Sequence, residues 1–319
     1  MKAQLNKLFY SLLTVAGMSM TSVLAHAATA PSVSVPITMT VTASVDSDKR
    51  MPELVREDIA IKRGKESLPV TEWVAAKGDR AGLDLFLLID DASDSRLALQ
   101  YDDLRNFINN QPATTRIGVG YMRNGTVQIV QDLTSDHARS ANALRLPFGS
   151  QGAYGNAYLS VIDLMKRWPD TRNRHEVLMV TDGVDNFRQK SFQRRGLYLS
   201  PDVDSAVTVA QKTGTVIYTI YAPGTAPSRR NYWQMTSGQM GIASLADRTG
   251  GESFFLGLHQ PVSFKPYLDN LQKFLDNQYL VSFSATPGKR PGLHKINVST
   301  EIAGVELFTH DAVWVPVAK

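Results

Sequence analysis

The sequence contains no cysteine. A chain without thiols forms no disulfide framework or zinc ribbon and has no thiol nucleophile. Nucleotide-binding signatures are also missing, since the chain has neither a P-loop nor a G-x-G-x-x-G motif after a strand. No G-x-S-x-G motif occurs, because Gly149-Ser150-Gln151-Gly152 has a different spacing, so the commonest serine hydrolase signature is absent as well.

Charge of either sign is modest in this chain. Its 319 residues include 34 Lys and Arg against 30 Asp and Glu, a formal net charge of +4 at pH 7. No basic stretch is interleaved with aromatic residues, so nucleic acid is not predicted as a partner. The composition, 43% hydrophobic and 20% charged, is typical of a globular protein with one large domain or a large and a small one.

Residues 1–27 are predicted to be a cleaved secretory signal peptide. Lys2 and Lys7 precede a mostly apolar run, Leu8–Val23, and Ala25-His26-Ala27 supplies the small-x-small cleavage pattern. The alternative is a retained membrane anchor, but glycine and hydroxyl residues interrupt the run and it is short for a bilayer span. We therefore expect an exported protein, periplasmic or extracellular, with no membrane span after cleavage. The lack of cysteine suits a bacterial envelope.

The remaining chain divides into three predicted parts by its pattern of strand-like and helix-like segments. An N-terminal β segment covers 28–80, strands alternate with helices over 81–277, and a C-terminal β segment covers 278–319. The nearly continuous apolar run Leu83–Ile89 predicts a buried central strand, and Asn124-Gly125 predicts a hairpin that ends at a sheet edge. The fold class is therefore α/β, with a doubly wound, mostly parallel sheet. Because each flank is too short to fold alone, we expect the two to pair as a small β-sandwich around the inserted α/β domain.

Oxygen-bearing side chains follow two of the predicted central strands. Asp91, Ser93 and Ser95 form D-x-S-x-S directly after the apolar strand, and Asp182 follows a later strand. Carboxylate and hydroxyl oxygens suit a hard divalent cation. These four residues are therefore predicted to bind Mg²⁺, or Mn²⁺ or Ca²⁺ in its place. The alternative is a simple turn in which the D-x-S-x-S side chains cap the following helix.

D-x-S-x-S, together with Thr181-Asp182-Gly183, resembles the von Willebrand factor A-type domain and its metal-ion-dependent adhesion site. The flanks are similar to those of the bacterial secreted relatives of that family. The similarity is carried by Leu54–Ile59 followed by Pro69-Val70-Thr71, which resembles the region just before the domain in those relatives. The resemblance implies the doubly wound fold. It also implies a protein partner that offers an acidic group to the bound cation.

The chain departs from the family pattern at two places. Tyr154 stands where the family has a threonine ligand, and Asn156 is the nearest alternative oxygen donor. Asp94 occupies a spacer that is usually small, where it either holds the ion through water or faces solvent. Asp185, just past the T-D-G turn, is expected to be a solvated loop acid, and the alternative is that it supports a metal ligand from outside the ligand shell.

Three hypotheses for function follow. The first is an exported, non-enzymatic adhesion or scaffold module that binds a protein partner through the cation site. The second is a metal-free scaffold of the same fold that binds through two basic and aromatic loops, Arg188–Arg195 and Arg229–Trp233. The third is a secreted hydrolase with an unrecognised site, although no nucleophile and base pair is visible in the sequence.

Overall fold

The structure, a computed structural model, describes residues 34–45, 50–150, 154–189, 197–225, 232–255, 257–259 and 261–317. The predicted signal peptide lies outside these residues. Within the described ranges, no helix combines the length and the apolar character needed to cross a membrane.

The strands alternate with helices in the middle of the chain and follow one another at both ends. In chain order the strands are β1 (Val35–Val45), β2 (Ile59–Arg63), β3 (Glu66–Leu68), β4 (Val70–Ala75), β5 (Leu83–Asp90), β6 (Thr115–Arg123), β7 (Thr126–Thr134), β8 (Arg174–Thr181), β9 (Val216–Tyr221), β10 (Ser253–Phe254), β11 (Gln278–Ala285), β12 (Gly292–Lys295), β13 (Asn297–Thr300), β14 (Val305–Phe308) and β15 (Ala312–Val315). The helices are α1 (Tyr101–Asn109), α2 (His137–Asn142), α3 (Ala157–Arg167), α4 (Asn186–Gln189), α5 (Pro201–Thr213), α6 (Tyr232–Arg248) and α7 (Lys265–Asp276). Short 3₁₀ helices cover Arg56–Asp58, Gly78–Arg80 and Ser95–Gln100.

The central sheet has the strand order β10-β9-β8-β5-β6-β7. All neighbours pair in parallel except β6 and β7, which form an antiparallel hairpin. Asn124 and Gly125 join the hairpin with φ values of +53° and +69°, the backbone that a two-residue turn of this kind requires. The predicted α/β sheet, its hairpin and the edge position of the second hairpin strand are therefore confirmed.

The order of strands reverses at the centre of this sheet. β5 pairs with β6 on one side and with β8 on the other. Every residue of β5 is buried, because helices cover both faces: one core includes apolar residues of α1 and α7, and the other includes residues of α3, α5 and α6. In open α/β sheets, ligands bind in the crevice beyond the carboxyl ends of strands at such a reversal. The residues that follow β5 and β8 therefore lie where such a fold binds its ligands.

The strands from the two ends of the chain pair with each other. β1 pairs with β11 and β14, β4 pairs with β11, and β2 pairs with β13, all antiparallel. Buried residues of three small sheets, among them Val41, Ile61 and Val315, form one core. The predicted β-sandwich built from both flanks is therefore present, with the α/β domain inserted between them.

Candidate functional site

Three chain segments meet at the carboxyl edge of the central sheet. The hydroxyl of Thr181, at the end of β8, donates to Oδ2 of Asp90, at the end of β5, over 2.8 Å. The segment after β9 joins them, because Gly224 forms a β-bridge with Ser93 and its N–H donates to Oδ2 of Asp182 over 3.1 Å. The D-x-S-x-S loop and the T-D-G turn thus lie side by side, one on each side of the strand-order reversal.

The T-D-G turn is fixed from two sides. Gly183 has φ +67°, and a Cβ added to it would lie 2.4 Å from the carbonyl oxygen of Gly238 in α6. From the other side, the hydroxyl of Tyr158 in α3 donates to the carbonyl of Gly183 over 2.8 Å. Asp182, 2% exposed, accepts from the backbone N–H of Val184 at 3.0 Å in addition to that of Gly224. Its carboxylate therefore serves to hold two loops.

Asp91 is paired with an arginine that comes from the loop after α2. Nη1 and Nη2 of Arg145 donate to Oδ1 and Oδ2 of Asp91 over 2.7 and 3.0 Å, and the N–H of Phe148 donates to Oδ1 over 3.2 Å. The Asp91 side chain is fully buried, whereas that of Arg145 is 27% exposed. This two-point geometry is the strongest form of an arginine–carboxylate bond.

Aromatic residues hold Arg145 in place. Its guanidinium carbon lies 3.6 Å from the ring centroid of Tyr121 and 4.1 Å from that of Phe148, an arrangement that adds cation–π attraction. The hydroxyls of Tyr101 and Tyr121 lie 2.5 and 2.6 Å from the Arg145 carbonyl, to which they donate. Burial lowers the pKa of Arg145, but the hydrogen bonds and charge of Asp91 outweigh it and keep that pKa above its ordinary value. The guanidinium is therefore a permanent positive charge at this site.

Sequence reasoning did not single out Arg145. The only local signal is a lone arginine between apolar residues, in Leu144-Arg145-Leu146-Pro147-Phe148. The loop of 143–150 crosses the carboxyl edge, where the N–H of Ser150 donates to the carbonyl of Asp91 over 3.0 Å. Only this tertiary path brings the arginine to Asp91.

The two serines of D-x-S-x-S have different surroundings. Ser93 is 1% exposed, and its hydroxyl oxygen has no hydrogen-bond partner among the described residues. Ser95 is exposed and begins the short 3₁₀ helix. The cap of that helix is Asp94, whose Oδ1 accepts from the N–H of Arg96 over 2.9 Å. The alternative prediction of capping by Asp91, Ser93 and Ser95 is wrong in this respect, because Asp94 performs the role.

Tyr154 and Asn156, the candidate replacements for the missing threonine ligand, make other contacts. Tyr154 is 57% exposed, and its ring lies 5.2 Å from that of Phe187. Asn156 caps α3: its Oδ1 accepts from the N–H groups of the first turn, and its Nδ2 donates to Asp202 over 2.8 Å. Asp185 is 3% exposed and accepts from Ser200, so the expectation of a solvated loop acid is wrong.

The predicted basic and aromatic loops are described only in part. Residues 190–196 and 226–231 lie outside the described ranges. Of the aromatic pair at the start of α6, Tyr232 is 62% and Trp233 is 41% exposed, and their rings are 5.6 Å apart.

No family model and no curated protein matches the chain. Among solved structures, it is similar to an aerotolerance-related membrane protein from Bacteroides fragilis NCTC 9343 at 11% identity and TM-score 0.42, covering 61% of this chain and 99% of that one. A von Willebrand factor type A protein from Catenulispora acidiphila is similar at 9% identity and TM-score 0.42, covering 89% and 74%. Manganese-loaded Plasmodium vivax TRAP is similar at 12% identity and TM-score 0.41, covering 77% and 96%.

The observed sheet order, with D-x-S-x-S after β5 and T-D-G after β8, decides the fold. The middle of the chain has a von Willebrand A-type fold.

The residues that the sequence predicts to bind a cation, as placed here, do not fit a divalent cation bound through Asp91. Its carboxylate already accepts three N–H donors, two of them from a guanidinium, and Asp182 already accepts two. The hydroxyl of Ser93 is buried without a hydrogen-bond partner among the described residues, but a single hydroxyl does not make a site for Mg²⁺. Among the described residues, no group of three or more His, Asp or Glu side chains could hold a metal.

Proposed function

We propose that this protein is an exported, non-enzymatic binding module whose von Willebrand A-type domain contacts a protein partner with the loops at the carboxyl edge of its sheet. The observation that carries the proposal is a set of exposed apolar side chains around that edge. We call it the edge cluster; it consists of Leu146, Phe148, Tyr154 and Phe187, which are 55%, 59%, 57% and 41% exposed.

The members of the edge cluster belong to neighbouring loops. The Arg123 guanidinium, at the end of β6, lies over the Phe148 ring at 5.3 Å, and Asn124 in the same hairpin turn accepts from the N–H of Tyr154 over 3.5 Å. The ring of Tyr154 lies 5.2 Å from that of Phe187, which follows β8. Exposed apolar patches on a soluble protein commonly mark binding surfaces, and aromatic residues beside arginine dominate the energetics of such surfaces.

The bonds at the edge support a binding role over a catalytic one. Asp90, Asp91 and Asp182 each accept hydrogen bonds that hold loops together. The hydroxyl of Ser93 has no base within hydrogen-bond distance among the described residues, whereas a nucleophilic serine needs one. Loops held to one another by such bonds suit recognition, because little entropy is lost when a partner binds.

The remaining parts of the proposal are the exported location and the nature of the partner. Export is supported by the signal pattern of 1–27. The cation-dependent mode through Asp91, Ser93, Ser95 and Asp182 stays a prediction. The chelator arm of the experiment below tests it.

The test is capture of envelope proteins on immobilised mature chain, residues 28–319, with and without chelator. Wild type is compared with Tyr154→Ala/Phe187→Ala, which changes only exposed rings, and with Val55→Ala, an exposed apolar position (46%) outside the α/β domain. We expect wild type and Val55→Ala to retain the same partner and the double variant to lose at least tenfold of it. A photo-crosslinking amino acid at 154 should then join to that partner.

Equal capture by all three proteins would refute the edge cluster as the binding surface. Loss on chelation would favour the cation-dependent mode. Turnover of a substrate library by wild type, retained in Asp91→Ala, would favour the hydrolase hypothesis instead.

A further inference from the structure

We propose that the guanidinium of Arg145 takes the place of the divalent cation in this von Willebrand A-type site, so that an internal ion pair closes the site and Asp91 binds no metal. The inference does not depend on the proposed function, since it concerns the charge balance and stability of the site itself.

The first argument is the occupancy of Asp91. A carboxylate has about four lone-pair positions, and three N–H groups point at this one, at 2.7, 3.0 and 3.2 Å. A divalent cation at Asp91 would lie against a guanidinium whose charge is permanent. Metal binding would therefore require Arg145 to leave.

The second argument is the cost of moving Arg145. Its guanidinium stacks between Tyr121 and Phe148, and its Nη1 also donates to the carbonyl of Leu146 over 2.9 Å. Its backbone N–H donates to the hydroxyl of Tyr121 over 2.6 Å. Side chain and main chain are thus both fixed in the position that serves Asp91.

The third argument is the placement of the pair. Asp91 lies at the reversal of strand order, where the carboxyl end of β5 faces that of β8, and this is the position at which the fold presents its ligand. Tyr154, at the position of the missing threonine ligand, is turned to solvent. A hydroxyl ligand is therefore lost from the same site that gains an arginine. The arginine supplies the positive charge that the buried Asp91 needs.

The first experiment measures Mn²⁺ binding to the wild-type mature chain by electron paramagnetic resonance and calorimetry. We expect no saturable binding at millimolar Mn²⁺, and no shift of Tm on adding Mg²⁺ or chelator. Saturable Mn²⁺ binding that disappears in Asp91→Asn would overturn the proposal. The measurement of Mn²⁺ binding uses the wild-type protein alone, so it is informative whether or not a variant folds.

The second experiment is a double-mutant cycle on unfolding by urea with Asp91→Asn and Arg145→Met, all in chelator. Asn keeps the shape of the carboxylate, and Met keeps part of the arginine stem. We expect each single variant to be strongly destabilised and the double variant to be no less stable than the worse single one, because the two residues act as a unit. Lys265→Met, which breaks an exposed ion pair with Asp269, is the control and should change stability little. Simple addition of the two single effects would contradict the proposal.

Discussion

Replacing Gly183 with alanine is expected to destabilise the protein by about 2–5 kcal/mol, and the structure divides this cost into two parts. Gly183 has φ +67°, a backbone that costs an L-residue about 1–2 kcal/mol. A Cβ at this position would also lie 2.4 Å from the carbonyl oxygen of Gly238 and 2.6 Å from Cγ2 of Ile242. Forcing apart packed backbone in this way costs about 1–3 kcal/mol more.

Two other glycines separate the two costs. Gly214, after α5, has φ +66° but no atom within 4 Å of an added Cβ, so Gly214→Ala should lose only the backbone part, about 1–2 kcal/mol. Gly238→Ala would place its Cβ 2.2 Å from the carbonyl oxygen of Asp182, without a positive φ, and should show only the packing part, about 1–3 kcal/mol.

The assay is urea unfolding of the three variants and wild type, followed by circular dichroism and tryptophan fluorescence. Coincident transitions with unchanged slopes would show that the free energies are comparable. If Gly183→Ala and Gly214→Ala lose the same stability, the close approach of α6 to the T-D-G turn is not what requires glycine there. The reasoning would then be refuted.

Three further predictions concern buried polar groups outside the Asp91 pair. Asn156→Ala should lose about 1–2 kcal/mol in urea unfolding, because it removes the cap of α3; equal loss in the exposed control Asn106→Ala would contradict this. Burial lowers the pKa of His310 from 6.5 to about 4, so the unfolded chain takes up a proton first as the pH falls. The free energy of unfolding should therefore drop by up to about 3 kcal/mol between pH 6.5 and 4, and an unchanged pH slope in His310→Leu would disprove that assignment. The four hydrogen bonds that Asp84 accepts outweigh its burial and lower its pKa; Asp84→Asn should lose about 2 kcal/mol or more, since Arg116 then loses a charged partner, and a loss below about 0.5 kcal/mol would contradict this.

Much of the fold could be predicted because local patterns and burial agree. The apolar run of β5 is buried along its whole length, and Asn124-Gly125 adopts the positive φ values that its hairpin turn needs. The pairing of the two flanks followed from a physical requirement, because neither flank has enough strands to bury its apolar face alone. That argument does not give strand order, and β11 lies between β1 and β4 for reasons of packing that no local pattern records.

The site was predictable only in part. Asp91, Ser93 and Asp182 follow strands that the sequence identifies, so their common edge could be anticipated. Asp185 was misjudged because it is buried and accepts from Ser200 at the start of α5, a contact that no local pattern indicates.

The sequence by itself determined which segments become strands and helices, since periodicity, turn residues and caps act over a few neighbours. It also determined that acidic and hydroxyl groups would meet at one edge of the sheet. Only the tertiary structure decided which charge balances Asp91. Arg145 lies 54 positions away along the chain, and a loop must cross the edge of the sheet to bring the guanidinium to the carboxylate. Ion pairing depends on distance in space, which local sequence patterns do not specify.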